Sequence, residues 1–237
     1  MFDWRKAPNA EGLWPVGTRL LLIRHGRVDF DSKNFRDTER GRQWDPPLDD
    51  RGREQADLLA ARLASIGTPT AVFVSPYRRC LQTVEPYARA AGVRPVVDEG
   101  LSEVFIGAWE GVRFEDIFSN DSEVIRARIH DQQPMFNLAP GGESGRELRE
   151  RVVPAVERLL ASLGGREGNV VMVTHGGVIN AYLGHVMGLE QDMFYLPENT
   201  SVNTVDVDGD DRRMRFINDV AHLAFPGIFT RPPGAEA

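Results

Sequence analysis

Arg19-Leu20-Leu21-Leu22-Ile23-Arg24-His25-Gly26 is an apolar run without polar alternation that breaks off into a cation, an imidazole and a glycine. A run of this kind reads as a strand covered on both faces, as in parallel sheets. The pattern recurs twice. Ala71-Val72-Phe73-Val74 runs into Ser75-Pro76-Tyr77-Arg78-Arg79, and Val170-Val171-Met172-Val173 runs into Thr174-His175-Gly176-Gly177. Weaker strands are expected at 95–98, 201–207 and 214–220, with Asp208-Gly209-Asp210-Asp211 as the turn between the last two.

Between these runs the apolar period becomes helical. Ala56, Leu59, Leu63 and Ile66 predict a helix over 50–66, stopped by Gly67. Ser144 and Glu147 form a capping box opening a helix on Leu148, Val152, Val156, Leu159 and Leu163, closed by Gly164. Pro154 inside it is expected to kink or restart that helix. Another helix is expected over 178–187, and the polar stretch 113–133 reads as a helical lid over the sheet edge. Strands alternating with helices predict an α/β fold with a mainly parallel sheet. No linker separates two cores, so the chain reads as one domain over 1–237, its core about 18–220, with short irregular ends and a frayed tail at 232–234.

The composition is ordinary for a globular chain of 237 residues, 41% hydrophobic and 27% charged, and supports one sizeable core. A formal net charge of -7 argues against nucleic acid as the main partner. It does not exclude a small phosphate ester, because a few arginines focused in a cleft outweigh the mean field there. Cys80 stands alone, so neither an internal disulfide nor a thiolate metal cluster is available, which fits a reducing compartment. No apolar run approaches the 18 residues of a membrane span, and 1–16 lacks an apolar signal core. The expectation is a cytoplasmic protein without a membrane partner.

Ligands of doubly wound sheets bind outside the carboxyl ends of the strands, so Arg24, His25, Arg78 and His175 are expected around one crevice. Ser75 as helix cap with Pro76 at the first helical position would put Arg78 in a first turn, where free N–H groups favour an anion. Gly26 and Gly176 would let the backbone approach a ligand. Each piece alone is weak. A lone histidine after a strand is more often structural, and Arg78 and Arg79 by themselves fit a solvated helix. What carries weight is the repetition at the same end of three strands.

Arg24-His25-Gly26, Ser75-Pro76-Tyr77-Arg78, Glu103 followed by Trp109-Glu110-Gly111, Pro140 to Ser144, and Thr174-His175-Gly176 together resemble the histidine phosphatase superfamily, the phosphoglycerate-mutase-like clan. Pro47-Leu48-Asp49 with Gly52 and Gln55-Ala56 is similar to its first helix entry. The resemblance implies a three-layer α/β/α sandwich, a phosphohistidine intermediate, and neither metal nor other cofactor. It implies a phosphatase acting on small-molecule phosphate monoesters, with His25 as nucleophile, His175 as a cationic donor to the transferring group and Glu103 as proton donor.

The residue chemistry is compatible. Arg24 and Arg78 are permanent cations that grip phosphate oxygens in a fork. A neutral His25 nitrogen can attack phosphorus while a backbone carbonyl holds the other ring nitrogen. Glu110 is the rival carboxylate to Glu103. The histidines show no metal-ligand spacing, and no phosphate-binding loop of the nucleotidase type is present.

Two departures matter. Where many members carry Glu, Thr and Asn after Arg-His-Gly, this chain has Arg27, Val28 and Asp31, and Asp31 must face away from phosphate or pair with Lys33 or Arg27. The 27–46 segment, with Arg27, Lys33, Arg36, Arg40 and Arg42, is either a solvated loop or a site for a second anionic group. Glu103 and Glu143 lie 40 positions apart, without the long insertion of the mutases. A mutase-type phosphotransferase and a non-catalytic phosphate-binding module remain the alternatives, and a homodimer is compatible with the sequence.

Overall fold

The structure, a computed structural model, describes residues 17–113, 116–117, 127 and 134–223. The helix expected over 113–133 falls almost wholly outside the described residues, and the tail at 232–234 lies outside them.

In chain order the elements are β1 (Thr18–Arg24), β2 (Phe35–Thr38), β3 (Gly41–Trp44), α1 (Asp50–Ser65), β4 (Ala71–Val74), α2 (Arg78–Ala91) and β5 (Val96–Val97). There follow α3 (Gly145–Ala161), β6 (Gly168–Thr174), α4 (Gly176–Met187), β7 (Val202–Asp208) and β8 (Asp211–Asp219). The six-stranded sheet has the order β5-β4-β6-β1-β7-β8. Neighbours from β5 to β1 are parallel, whereas β7 runs antiparallel to both β1 and β8. The expected hairpin turn closes β7 onto β8, with Asp208 opposite Asp211 and Gly209 at φ 55°.

Alternate residues of each central strand feed opposite cores. Leu20, Leu22, Val170 and Met172 pack with Leu148, Val152 and Val156 of α3 and Val178 and Tyr182 of α4. Leu21, Ile23, Val171 and Val173 pack with Leu59 and Leu63 of α1 and Cys80, Val84 and Tyr87 of α2. A sheet buried on both faces needs strands apolar at every position, which is why the three runs show no polar alternation. The result is the α/β/α sandwich.

The ladder also levels the strand ends. Arg24 faces Thr174 across β1 and β6, and Val74 faces Val173 across β4 and β6. The residues that follow, His25, Ser75 and His175, therefore emerge at one edge.

Helix α1 begins where expected, because Asp49 accepts the Gly52 amide at 2.7 Å. Gly26 and Gly52 meet there face to face. A Cβ on Gly52 would lie 2.0 Å from the Arg27 carbonyl, and one on Gly26 2.8 Å from the Gly52 carbonyl. The Gly26 amide is engaged by Thr83 Oγ1 at 2.9 Å. Gly26 therefore serves the packing of the β1 loop on α1.

Three further expectations change. Helix α3 runs unbroken through Pro154, so of a kink or a restart the restart falls, and α2 likewise contains Pro86. Segment 27–46 holds the β2–β3 hairpin rather than an irregular loop. Ser75 does not cap α2, which starts at Arg78 with Tyr77 as N-cap and no side-chain bond from the cap. The service comes from elsewhere, as Asp45 Oδ1 accepts the Arg78 amide at 2.8 Å.

Candidate active site

His25 leaves β1 with its amide bonded to the Thr174 carbonyl at 2.9 Å, and its ring is 6% exposed. Its Nδ1 lies 2.8 Å from the Gly26 carbonyl. A carbonyl only accepts, so Nδ1 carries the proton and Nε2 keeps its lone pair, the arrangement a nucleophile needs. Burial, then the charges of Arg79 and Arg24, push the imidazole well below its usual range of protonation, which favours the neutral form.

The backbone around His25 is clamped from β7's approach. Asn199 Nδ2 donates to the His25 carbonyl at 3.0 Å, and the Thr200 amide donates to the Arg24 carbonyl at 3.1 Å. Thr200 is buried and holds φ at 59°, a conformation costly for a β-branched residue. Neither residue stood out in the sequence, since nothing in their period or spacing marks a clamp on a strand some 175 positions earlier.

His175, fully buried, is the N-cap of α4 and stands edge-on to His25, with ring centres 5.3 Å apart. Its Nε2 meets Ser75 Oγ at 2.7 Å and Cys80 Sγ at 3.5 Å, and its ring abuts Tyr77 at 5.0 Å. Ser75 is thus a partner of His175. Burial and the charges of Arg79, His25 and Arg24 push His175 well below its usual range. A cationic role there requires the negative charge of a bound phosphoryl group to offset those guanidiniums.

Two arginines face this pair, and one differs from the expectation. Arg24 donates Nη1 to the Pro197 carbonyl, while its buried Nε has no acceptor among the described residues. That Nε lies 3.9 Å from where a Cβ on Gly176 would stand, so it faces the amino end of α4, whose first-turn amides and dipole favour an anion. Gly176 itself is uncrowded. Arg78 is exposed, on the side of α2 toward β5. The buried arginine is Arg79, 6% exposed, which donates to the Trp44 carbonyl at 3.2 Å and lies over Tyr77 at 4.6 Å. Its charge acts on His25, His175 and Glu103 alike. The correction follows from where α2 starts, because consecutive helical residues point about 100° apart.

The carboxylates separate as cleanly. Glu110 is occupied, accepting the Trp44 amide at 2.8 Å and the Ile106 amide at 3.1 Å. Among the described residues Glu103 accepts only the neighbouring Val104 amide, at 3.0 Å. Its Oε1 would lie 2.6 Å from a Cβ on Gly177, so only glycine lets the carboxyl rest against the amino end of α4. Burial raises its pKa, against the lowering charges of Arg79, Arg24 and Arg151.

Asp31 pairs with Arg113 at 2.9 Å rather than with Lys33 or Arg27. Arg27 pairs with Asp49 at 3.1 Å, Arg36 with Glu99, and Arg40 with Glu143 at 3.9 Å. Among the described residues no group of three or more His, Cys, Asp or Glu is placed to hold a metal ion, and no helix is long and apolar enough to cross a membrane.

The family model described as "Histidine phosphatase superfamily (branch 1)" matches residues 20–220. "Bifunctional protein Rv2228c" of Mycobacterium tuberculosis is 35% identical over 167 residues, 70% of this chain and 43% of that protein. The chain thus spans under half the length of that relative. "Metal-independent phosphoserine phosphatase" of Arabidopsis thaliana is 27% identical over 218 residues, covering 90% of this chain and 87% of the relative. A solved structure of mycobacterial glucosyl-3-phosphoglycerate phosphatase with inorganic phosphate superposes with a TM-score of 0.71. It is 26% identical and covers 87% of this chain and 100% of its own.

Proposed function

The chain belongs to the histidine phosphatase superfamily, and on that premise we propose that it hydrolyses small-molecule phosphate monoesters through a phosphohistidine on His25. The single observation that carries the proposal is the His25 tautomer, with Nδ1 on the Gly26 carbonyl and Nε2 left as a lone pair beside two cations. Phosphatase names among the relatives support the reaction class.

In the first half-reaction, the phosphoryl group rests between Arg24, Arg79 and the amides opening α4 at Gly176. His25 Nε2 attacks phosphorus and the P–O bond to the alcohol breaks. Protonated Glu103 gives its proton to the leaving oxygen, and His175 donates to the phosphoryl oxygens as the charge spreads. In the second half-reaction, the Glu103 carboxylate takes a proton from water, which attacks phosphorus and frees His25. Atoms and protons balance without a metal or other cofactor. Short spacing between Glu103 and Glu143 supports water over a second alcohol as the final acceptor. The site's reactive groups, all retained, speak against a silent phosphate-binding module.

Rapid quench of the protein with labelled substrate and no added metal tests this. Acid-labile, base-stable label is expected on the wild type and absent from His25→Ala. Label on a hydroxyl or carboxyl group, or turnover abolished by chelator, would overturn the mechanism.

A further inference from the structure

We propose that Gln43, Arg36 and Tyr77 form a subsite for the alcohol half of the substrate, built for the hydroxyl groups of an uncharged polyol. This rests on the phosphatase reading and names the substrate class of that same site.

Three polar atoms here are buried without a hydrogen-bond partner among the described residues: Gln43 Oε1, Tyr77 Oη and Arg36 Nε. Gln43 and Tyr77 are each 1% exposed, so leaving these atoms unpaired is costly unless a ligand answers them. The three belong together. Arg36 and Gln43 are register partners across β2 and β3, so both side chains stand on one face of the hairpin. The Arg36 guanidinium lies 5.5 Å from the centre of the Tyr77 ring. Tyr77 in turn abuts His175. The subsite therefore begins where the phosphoryl site ends.

The donor and acceptor types name the ligand. An amide oxygen only accepts, and Gln43 Oε1 has no donor among the described residues, so it is a pure acceptor in search of one. Arg36 Nε is a pure donor, and the Tyr77 hydroxyl serves either way. A hydroxyl group, which donates and accepts, satisfies such a set. A carboxylate or second phosphate would place a lone pair against Gln43 Oε1. Local charge agrees. Arg27, Arg36 and Arg40 are each in ion pairs, and Arg42 lies over Phe35 at 4.6 Å. The second reading of segment 27–46, a site for another anion, is thereby disfavoured.

The test compares kcat/KM for three esters on the wild-type protein: a neutral polyol phosphate (glycerol 1-phosphate or a hexose phosphate), n-butyl phosphate, and a bisphosphorylated polyol. The polyol monophosphate is expected to exceed butyl phosphate by at least about tenfold, since a site that hydrogen-bonds a hydroxyl rejects the analogue lacking it. It should also exceed the bisphosphate. Gln43→Met and Tyr77→Phe should each shrink the polyol-to-butyl ratio several-fold. A wild-type preference for the bisphosphate or for butyl phosphate overturns the subsite, as does an unchanged ratio in both variants. Turnover of an aryl phosphate by the wild type keeps the two proposals separable. If it is present with no polyol preference, the subsite alone falls; if no ester turns over, the phosphatase reading falls and takes the subsite with it.

Discussion

Strand ends and hairpin face the same crevice, yet they are positioned by different means. At the strand ends, backbone ladders do the work. His25 and His175 follow β1 and β6, whose register levels Arg24 with Thr174, so the two rings meet because their strands pair. Among the described residues the hairpin has no ladder to the main sheet. Glu110 ties it to the 106–110 turn through the Trp44 and Ile106 amides, and Asp45 ties the residue after it to the start of α2. One region is thus placed by backbone periodicity, the other by single side chains reaching distant amides. On the proposed mechanism the first region holds the nucleophile, and on the proposed subsite the second meets the alcohol half of the substrate.

Substitutions can break or sharpen this contrast, and the largest effect is expected at Glu103. Glu103→Gln should slow single-turnover phosphorylation of His25 by alkyl phosphates about 10²–10⁴-fold, the usual worth of a general acid. Aryl phosphates, whose leaving groups need no proton, should be much less affected. Equal losses in that step would reduce Glu103 to a positioning group.

Next comes the arginine pair. Arg79→Ala should lower kcat/KM about 10²–10³-fold, as for loss of one preorganised donor to a transition-state oxyanion. Arg78→Ala should stay within about twofold, the range of an exposed substitution. The reverse order would show that α2 begins at a different residue in solution.

For Glu110 the expectation is stability rather than chemistry. Glu110→Ala leaves two backbone amides without their acceptor and should cost about 1–3 kcal/mol for each buried group, measured by denaturant unfolding. A loss of activity at full stability would instead return Glu110 to the role of proton donor.

The smallest effect is on pH dependence. His25 is held below the ordinary imidazole range, so its nucleophilic neutral form persists as pH falls, and the acid limb of kcat/KM should lie below about 6.5. Glu103 is raised, so its acid form persists as pH rises, and the alkaline limb should lie above about 4.5. Glu103→Gln should remove the alkaline limb for alkyl esters. An acid limb at or above the free imidazole range would contradict the desolvation of His25.

Much of this architecture is carried by local pattern. Unbroken apolar runs dictate strands buried on both faces, and the shift to helical period dictates the layers on either side of them. Once those strands pair in parallel, the residues after them have nowhere else to go, which is why the coming together of Arg24, His25 and His175 as a candidate site was legible. Glu103 was legible only through family resemblance, because no periodicity marks it. Arg79 was not legible, since two adjacent arginines differ only in helix phase. The amide that opens that helix is met by Asp45, 33 positions earlier in the chain.

The same division holds for the glycines and the hairpin. Sequence alone places Gly176 and Gly177 behind His175, but only packing shows that the Glu103 carboxyl needs the second of them. Sequence lists five basic residues in 27–46, but only the fold pairs Arg27, Arg36 and Arg40 with acids from other segments and leaves Gln43 Oε1 without a partner among the described residues. The physical reason is range. Strand and helix follow from neighbours a few residues apart, whereas which arginine is buried, which carboxyl is free and which amide lacks a partner depend on contacts between segments dozens of residues apart.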